Sequence, residues 1–216
     1  MSSKTLVLIL FLACLLVSAP AVADNTVYDN GPVNGTVDAW TINFGYAVTD
    51  SFTLDQNYTV TGFQFGVWAY PGDTPLSVDY AIDTSPFGSS LASGTVALQS
   101  TFLYSNQYGY DIDWETASGL SIPLSAGNYW LTLQNAVTTQ GEPLYWDENS
   151  GPSQAQESSL GTIPSESFLV TAQGITCGTG GASPACQPPT PEPGTFVLFG
   201  SGLLGLGEIL RRKGRL

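Results

Sequence analysis

The sequence predicts an all-β chain: an antiparallel β-sandwich of the jelly-roll kind, preceded by a signal peptide and followed by one short C-terminal transmembrane helix. Three observations carry this. First, apolar and polar residues alternate at the period of a strand along Ile42, Phe44, Tyr46 and Val48, along Phe63, Phe65 and Val67, along Val78, Tyr80 and Ile82, and along Tyr129, Leu131 and Leu133. Second, turn-forming groups fall between such stretches: Asn30-Gly31-Pro32, Asn34-Gly35, Pro71-Gly72-Asp73, Ser85-Pro86-Phe87-Gly88, Ser125-Ala126-Gly127-Asn128 and Ser150-Gly151-Pro152. Third, no stretch between them shows a capped helical stripe. Strands that recur roughly every ten to fifteen residues without intervening helices pack as two antiparallel sheets.

Residues 1–23 read as a secretory signal peptide. Lys4 supplies the charged start, Leu6 to Val17 the apolar core, and Ala21 and Ala23 the small residues before a cut at Asp24. The sandwich is expected over residues 24–171, long enough for one domain with its own core.

The charge inventory of this body excludes several functions. The basic residues are Lys4, Arg211, Arg212, Lys213 and Arg215, all at the two ends, and the chain has no histidine. Sixteen of the eighteen acids lie between Asp24 and Glu166, since only Glu192 and Glu208 fall beyond. A body without Lys or Arg cannot neutralise a phosphate backbone, so nucleic acid is excluded as a partner. Without histidine there is no Ser-His-Asp triad and no imidazole metal ligand. No internal salt bridge can form, so each carboxylate must be solvated, hydrogen-bonded or held by a cation.

Two acidic stretches are candidates for the last option. Asp111, Asp113 and Glu115 alternate and so share one face of a strand, and Asp147 and Asn149 with Gly151 are spaced like the start of a calcium loop. Ca2+ is the candidate ion, being hard and oxygen-seeking; the competing reading of the triplet is a solvated strand face. Aromatic residues stand beside these acids. Trp68 and Tyr70 adjoin the Pro71-Gly72-Asp73 turn, Trp114 interrupts the triplet, and Tyr145 and Trp146 lead into Asp147. A ring next to carboxylates and amides suits a sugar, whose C–H face stacks while its hydroxyls are hydrogen-bonded. Each ring taken singly also suits a sandwich core, where Trp40 and Trp130 are placed. Paired carboxylates would serve a glycosidase as well, although no pair is singled out.

Residues 172–190 are rich in Gly, Ser, Thr and Pro and read as a linker. Cys177 and Cys186 lie in it, and in an oxidising compartment a local disulfide between them is expected. Residues 191–216 follow: Pro191-Glu192-Pro193, an apolar run from Phe196 to Leu210, and the basic end. As a helix the run spans roughly 22 Å, short for a bilayer core of ~30 Å, with the stems of Arg211 and Arg212 extending it. Ser201 and Gly205 would let it pack closely on another membrane helix, and the basic cluster places the C-terminus in the cytoplasm.

This tail resembles the PEP-CTERM sorting signal of Gram-negative bacteria, in its Pro191, Glu192 and Pro193 signature, its Gly-rich apolar helix and its Arg-rich end. The resemblance implies recognition by an exosortase, transient anchoring in the inner membrane, cleavage near the motif, and delivery to the cell surface or extracellular matrix. The body is similar to those of exported PEP-CTERM proteins with an unassigned jelly-roll-like domain, in Trp40-Thr41-Ile42-Asn43-Phe44-Gly45 and Tyr145-Trp146-Asp147-Glu148-Asn149. The expectation is therefore a non-catalytic, surface-sorted protein that contacts extracellular polysaccharide. A polysaccharide hydrolase and a self-assembling matrix component are the alternatives.

Overall fold

The computed structural model describes residues 24–174, within a compact unit that ends at Ile175. The signal peptide with Ala21 and Ala23, the Cys177–Cys186 pair, the sorting motif Pro191, Glu192 and Pro193 and the apolar run that follows it lie outside the described residues.

The described residues form twelve strands: β1 (Asn25–Asp29), β2 (Ala39–Thr41), β3 (Ala47–Leu54), β4 (Tyr58–Ala69), β5 (Pro75–Asp83), β6 (Ala92–Ser105), β7 (Asp111–Leu124), β8 (Gly127–Thr138), β9 (Tyr145–Asp147), β10 (Ala155–Glu157), β11 (Gly161–Ile163) and β12 (Phe168–Gly174). Among the described residues there is no helix, and none long and apolar enough to cross a membrane. All pairings are antiparallel and run in one path, β1-β12-β4-β7-β6-β5-β8-β3-β10-β11, with β9 on β4 and β2 on β9. The path folds over at β6. Its first half, Ala92 to Ala97, pairs with β5, and its second half, Leu98 to Ser105, pairs with β7. With the short strands set aside, one sheet has the order β1-β12-β4-β7 and the other β3-β8-β5-β6, which is the jelly-roll arrangement the sequence predicts.

The core lies between the two sheets. Ladder partners project to the same side, so Phe63, Phe65 and Val67 of β4 and Val170 and Phe168 of β12 face inward with Val78, Ile82, Leu131 and Leu133 of the opposite sheet. Rings meet across the gap: Phe63 lies 5.8 Å from Tyr80 and Tyr28 lies 6.1 Å from Phe52, centroid to centroid. Each fully buried side chain of this kind adds about 1.5–3 kcal/mol of transfer free energy.

Two features depart from the sequence reading. Ile42 and Val48 are core residues, but Phe44 and Tyr46 between them are exposed, because Asn43 to Tyr46 forms a turn and not a strand. Tyr46 N–H donates to Asn43 O at 3.0 Å, and Phe44 and Gly45 take φ of 55° and 89°. The chain reverses there, so the alternation across it is accidental. At the other end, β12 continues to Gly174, past the boundary expected at residue 171, since Ala172, Gln173 and Gly174 pair with Val60, Thr59 and Tyr58.

Candidate functional site

Two places stand apart from the apolar core: an aromatic platform on the outside of one sheet, and a seam of carboxylates at one end of the gap between the sheets.

The platform is built on Trp68, next to last in β4. The register sets Trp68 opposite both Ile112 and Tyr145, so the tip of the β6–β7 hairpin and the start of β9 arrive beside it. That tip is a tight turn. Asn106 N–H donates to Tyr110 O at 2.9 Å, Asn106 Oδ1 accepts from the N–H groups of Tyr108 and Tyr110, and Gly109 takes φ of 83°. Tyr108 therefore lies over Trp68, 5.8 Å between centroids and 20° between planes, with Tyr110 5.7 Å from the same indole. Tyr70 and Tyr145 close on Tyr110 edge to face at 5.1 and 5.7 Å. Trp68 is buried beneath the group, whereas Tyr108 is 58% and Tyr70 37% exposed. Burial pushes the Tyr145 phenol above its ordinary pKa, and the Tyr70 hydrogen bond does the same to Tyr110, so both hydroxyls stay neutral.

The platform is held from below. Asp147 Oδ1 accepts from Trp68 Nε1 at 2.6 Å and from Gly35 N at 2.7 Å, and its Oδ2 accepts from Asn34 N at 2.7 Å. The loop so fixed is clamped from above as Asn106 Nδ2 donates to Gly35 O at 3.0 Å and Tyr104 and Tyr108 hydroxyls donate to Asn34 O and Thr36 O. The rings are thus pre-positioned by the fold.

The seam lies where inward-facing positions carry acids. Asp50 takes the phase of Val48, Phe52 and Leu54 in β3, and Glu166 takes the phase of Phe168 and Val170; Glu166 bridges Glu148 across the chain, and both Asp50 and Glu166 are fully buried. Asp50 is well supplied with donors. Its Oδ2 accepts from Glu166 N at 2.7 Å and Ser153 Oγ at 2.8 Å, and its Oδ1 from Ser51 N at 2.6 Å. Asn30 ties the seam together, donating from Nδ2 to Ser153 Oγ at 2.6 Å, Ser165 Oγ at 2.7 Å and Glu166 O at 2.6 Å. Glu148 Oε2 accepts from Trp40 Nε1 at 3.1 Å. Among the described residues neither side-chain oxygen of Glu166 has a hydrogen-bond partner. Burial raises Asp50 to about 7, and burial with the charges of Asp50, Asp147, Glu148 and Asp38 raises Glu166 well above the usual carboxylate range.

The residues expected from the sequence divide between these places. Trp68 and Tyr145 belong to the platform. Trp146 does not: it is fully buried, edge to face with Phe65 and Phe168, and its Nε1 donates to Ser167 O at 2.9 Å, because it occupies an inward phase of β9. Trp114 is half-buried and donates from Nε1 to Gln64 Oε1 at 2.6 Å. Asp147 spends both oxygens on Trp68 and the loop, and Asn149 bonds Asn30 O, Gly151 N and Ser165 Oγ, so both serve as braces. Asp111, Asp113 and Glu115 do share a face, but it is the inner one, opposite Ala69, Val67 and Phe65. Asp113 and Glu115 are buried there, and Asp111 accepts from Ser105 Oγ at 2.7 Å. Among the described residues no three acids or cysteines already converge as a metal cluster. Trp40 packs against the core as expected, while Trp130 is half-buried and lines an open depression of about 510 Å³ with Gly151 and Gln154. Tyr70, expected beside Trp68, belongs to the platform, whereas Tyr108 and Tyr110 were not singled out by the sequence, nor were Asp50 and Glu166. The signal for the last two was present, as Asp50 falls on the apolar phase of β3 and Glu166, two residues before β12, keeps the phase of Phe168 and Val170.

Residues 189–215 match the family model of the PEP-CTERM protein-sorting motif. No curated protein matches the chain.

Proposed function

We propose, from the premise that the chain carries the PEP-CTERM protein-sorting motif of exosortase substrates at residues 189–215, that its jelly roll is a non-catalytic polysaccharide-binding module of the cell surface or extracellular matrix. The motif makes the chain an exported protein sorted toward the surface of a Gram-negative cell. The observation that supports a sugar as ligand is the platform: Tyr108 stacked on Trp68 and exposed on its other side, with Tyr70 and the neutral hydroxyls of Tyr110 and Tyr145 around it. A pyranose can lay its C–H face on Tyr108 and exchange hydrogen bonds with the surrounding phenols. A pre-positioned platform loses little side-chain entropy on binding. Binding without turnover is favoured because Asp113 and Glu115 lie on the inner face of the sheet, away from the rings.

The test is binding and hydrolysis of a panel of soluble polysaccharides by the purified protein and its Tyr108→Ala variant. Retention of a polysaccharide that falls at least roughly tenfold in the variant, with no reducing ends released, supports the reading. Release of reducing ends would establish a hydrolase, and equal behaviour of both proteins would remove the platform from the account.

One observation favours self-assembly as a second reading. Among the described residues nothing pairs with the outer side of β6 from Leu98 to Ser105, and Phe102 and Leu103 there are 59% and 42% exposed. Such an edge is a template for another strand. Concentration-dependent oligomers lost on Leu103→Lys substitution would support this reading over the first.

A further inference from the structure

The N–H groups that position the platform are already committed within the protein. Asp147 accepts from Trp68 Nε1, Asn34 N and Gly35 N, and Asn106 Oδ1 accepts from Tyr108 N and Tyr110 N. In the turn that follows Tyr70, Gly72 N donates to Asp111 Oδ2 at 3.3 Å. The Tyr108 hydroxyl donates to Thr36 O at 3.3 Å. What the platform offers a ligand is therefore the exposed ring of Tyr108 and the phenol hydroxyls of Tyr70, Tyr110 and Tyr145, of which that of Tyr110 bonds the other two. A hydroxyl both donates and accepts, so it matches the hydroxyls of an uncharged sugar, which do the same. A carboxylate or sulfate only accepts, and to dock here it must leave water for a surface that has no cation to receive it. Residues 24–174 carry sixteen acids and no Lys, Arg or His. Two of those acids stand at the platform itself: Asp147 beneath Trp68, and Asp111 next to Tyr110. Their field opposes an anion and leaves a neutral chain unaffected.

We propose that the platform selects uncharged polysaccharide and rejects polymers that carry carboxylate, sulfate or phosphate groups. The inference rests on the sugar reading above and gives it a substrate class. Selection of this kind works by a penalty on the wrong ligand, and the right one gains no contact from it. Charge and hydrogen bonding act in the same direction, because the groups that could have received an anion, the amides of Asn34, Gly35 and Gly72, already face protein carboxyls.

The experiment compares hydroxyethyl with carboxymethyl derivatives of the same backbones, cellulose, dextran and galactomannan, whose substituents are similar in size and differ in charge. Retention of the purified protein on each immobilised polymer is measured at about 20 mM and about 500 mM NaCl, which shortens the screening length from about 20 Å to about 4 Å. At the lower salt at least one hydroxyethyl polymer should retain the protein at least roughly tenfold better than its carboxymethyl partner, and at the higher salt its retention should change by less than about twofold. Gln107 is exposed at the hairpin tip beside Tyr108, and its amide donates to Thr36 O as a lysine can. Gln107→Lys supplies the missing cation. It should gain at least roughly fivefold for the carboxymethyl polymer at the lower salt, lose that gain at the higher, and bind the hydroxyethyl polymer as the wild type does. Equal or stronger retention of the wild-type protein by a carboxymethyl polymer would overturn the substrate class and leave a sugar site in place. Absence of the gain in Gln107→Lys would overturn it too, since charge would then not decide. Retention by neither form of any backbone would remove the sugar reading and this inference with it.

Discussion

Replacing Glu115 by Gln should flatten the pH dependence of stability without disturbing the fold. Glu115 is fully buried on the inner face of β7; its Oε2 accepts from Ser100 Oγ at 2.9 Å, while its Oε1 is buried without a partner among the described residues. Burial, reinforced by the charge of Asp113, raises its pKa from 4.5 to about 7. In the unfolded chain the group ionises near 4.5, so between those values the folded state binds the proton and the unfolded state does not. A raised carboxylate therefore contributes stability that is full below pH 4.5 and lost as pH rises through about 7. The whole shift corresponds to about 3 kcal/mol, most of which is lost between pH 5 and pH 8. Gln keeps the shape and does not titrate. Any fixed cost of its amide is the same at both pH values and cancels in the difference. For a domain of this size a loss of about 2–3 kcal/mol is roughly 5–10 °C in Tm. Thermal melts followed by near-ultraviolet circular dichroism at pH 5 and pH 8 measure it. The wild-type protein should melt lower at pH 8, and the drop should be smaller by that amount in Glu115→Gln. Parallel behaviour of the two proteins across this range would show that Glu115 is already ionised or solvated in the fold, and the argument from burial would fail.

Other expectations follow from single contacts. Gly151→Ala would place a Cβ 2.2 Å from Asn30 O and 2.7 Å from its side-chain oxygen, so the Asn30 junction must shift; a loss of about 1–3 kcal/mol is expected in chemical denaturation. Trp68→Phe keeps the ring but leaves Asp147 Oδ1 without its indole donor, which should cost about 1–3 kcal/mol and loosen the loop at Asn34 and Gly35, seen as faster amide exchange there. Leu133→Ala opens a cavity at a fully buried site and should cost about 2–5 kcal/mol with no change in surface recognition.

The sheet architecture was legible in the sequence because burial on one face writes a period of two into a strand, as it does for Phe63-Phe65-Val67 and Tyr129-Leu131-Leu133. The same rule misled at Phe44 and Tyr46, where a turn imitates the alternation, and Trp146 was drawn into the surface group by its neighbours in sequence although its phase is that of the core. The platform was half legible. Trp68, Tyr70 and Tyr145 are legible, but Tyr108 and Tyr110 reach them only through the β4–β7 register, a long-range pairing no local pattern encodes. Buried acids were the hardest to read. An acid in an apolar phase looks like a solvated residue until the opposite sheet is known to cover it, and Asp50 and Glu166 meet across a gap closed by residues far apart in the chain. The absence of any cation between Lys4 and Arg211 was legible, and it is what gives those two acids their consequence.

Export and surface sorting of the domain are tested most directly by the intact mass of the protein recovered from the surface of the native cell. A chain that begins at Asp24 and ends near Pro191 to Pro193 is predicted, with an alanine substitution of those three residues leaving the full tail on and the protein held in the inner membrane. A full-length species in the cytosol that still carries its first 23 residues would contradict it.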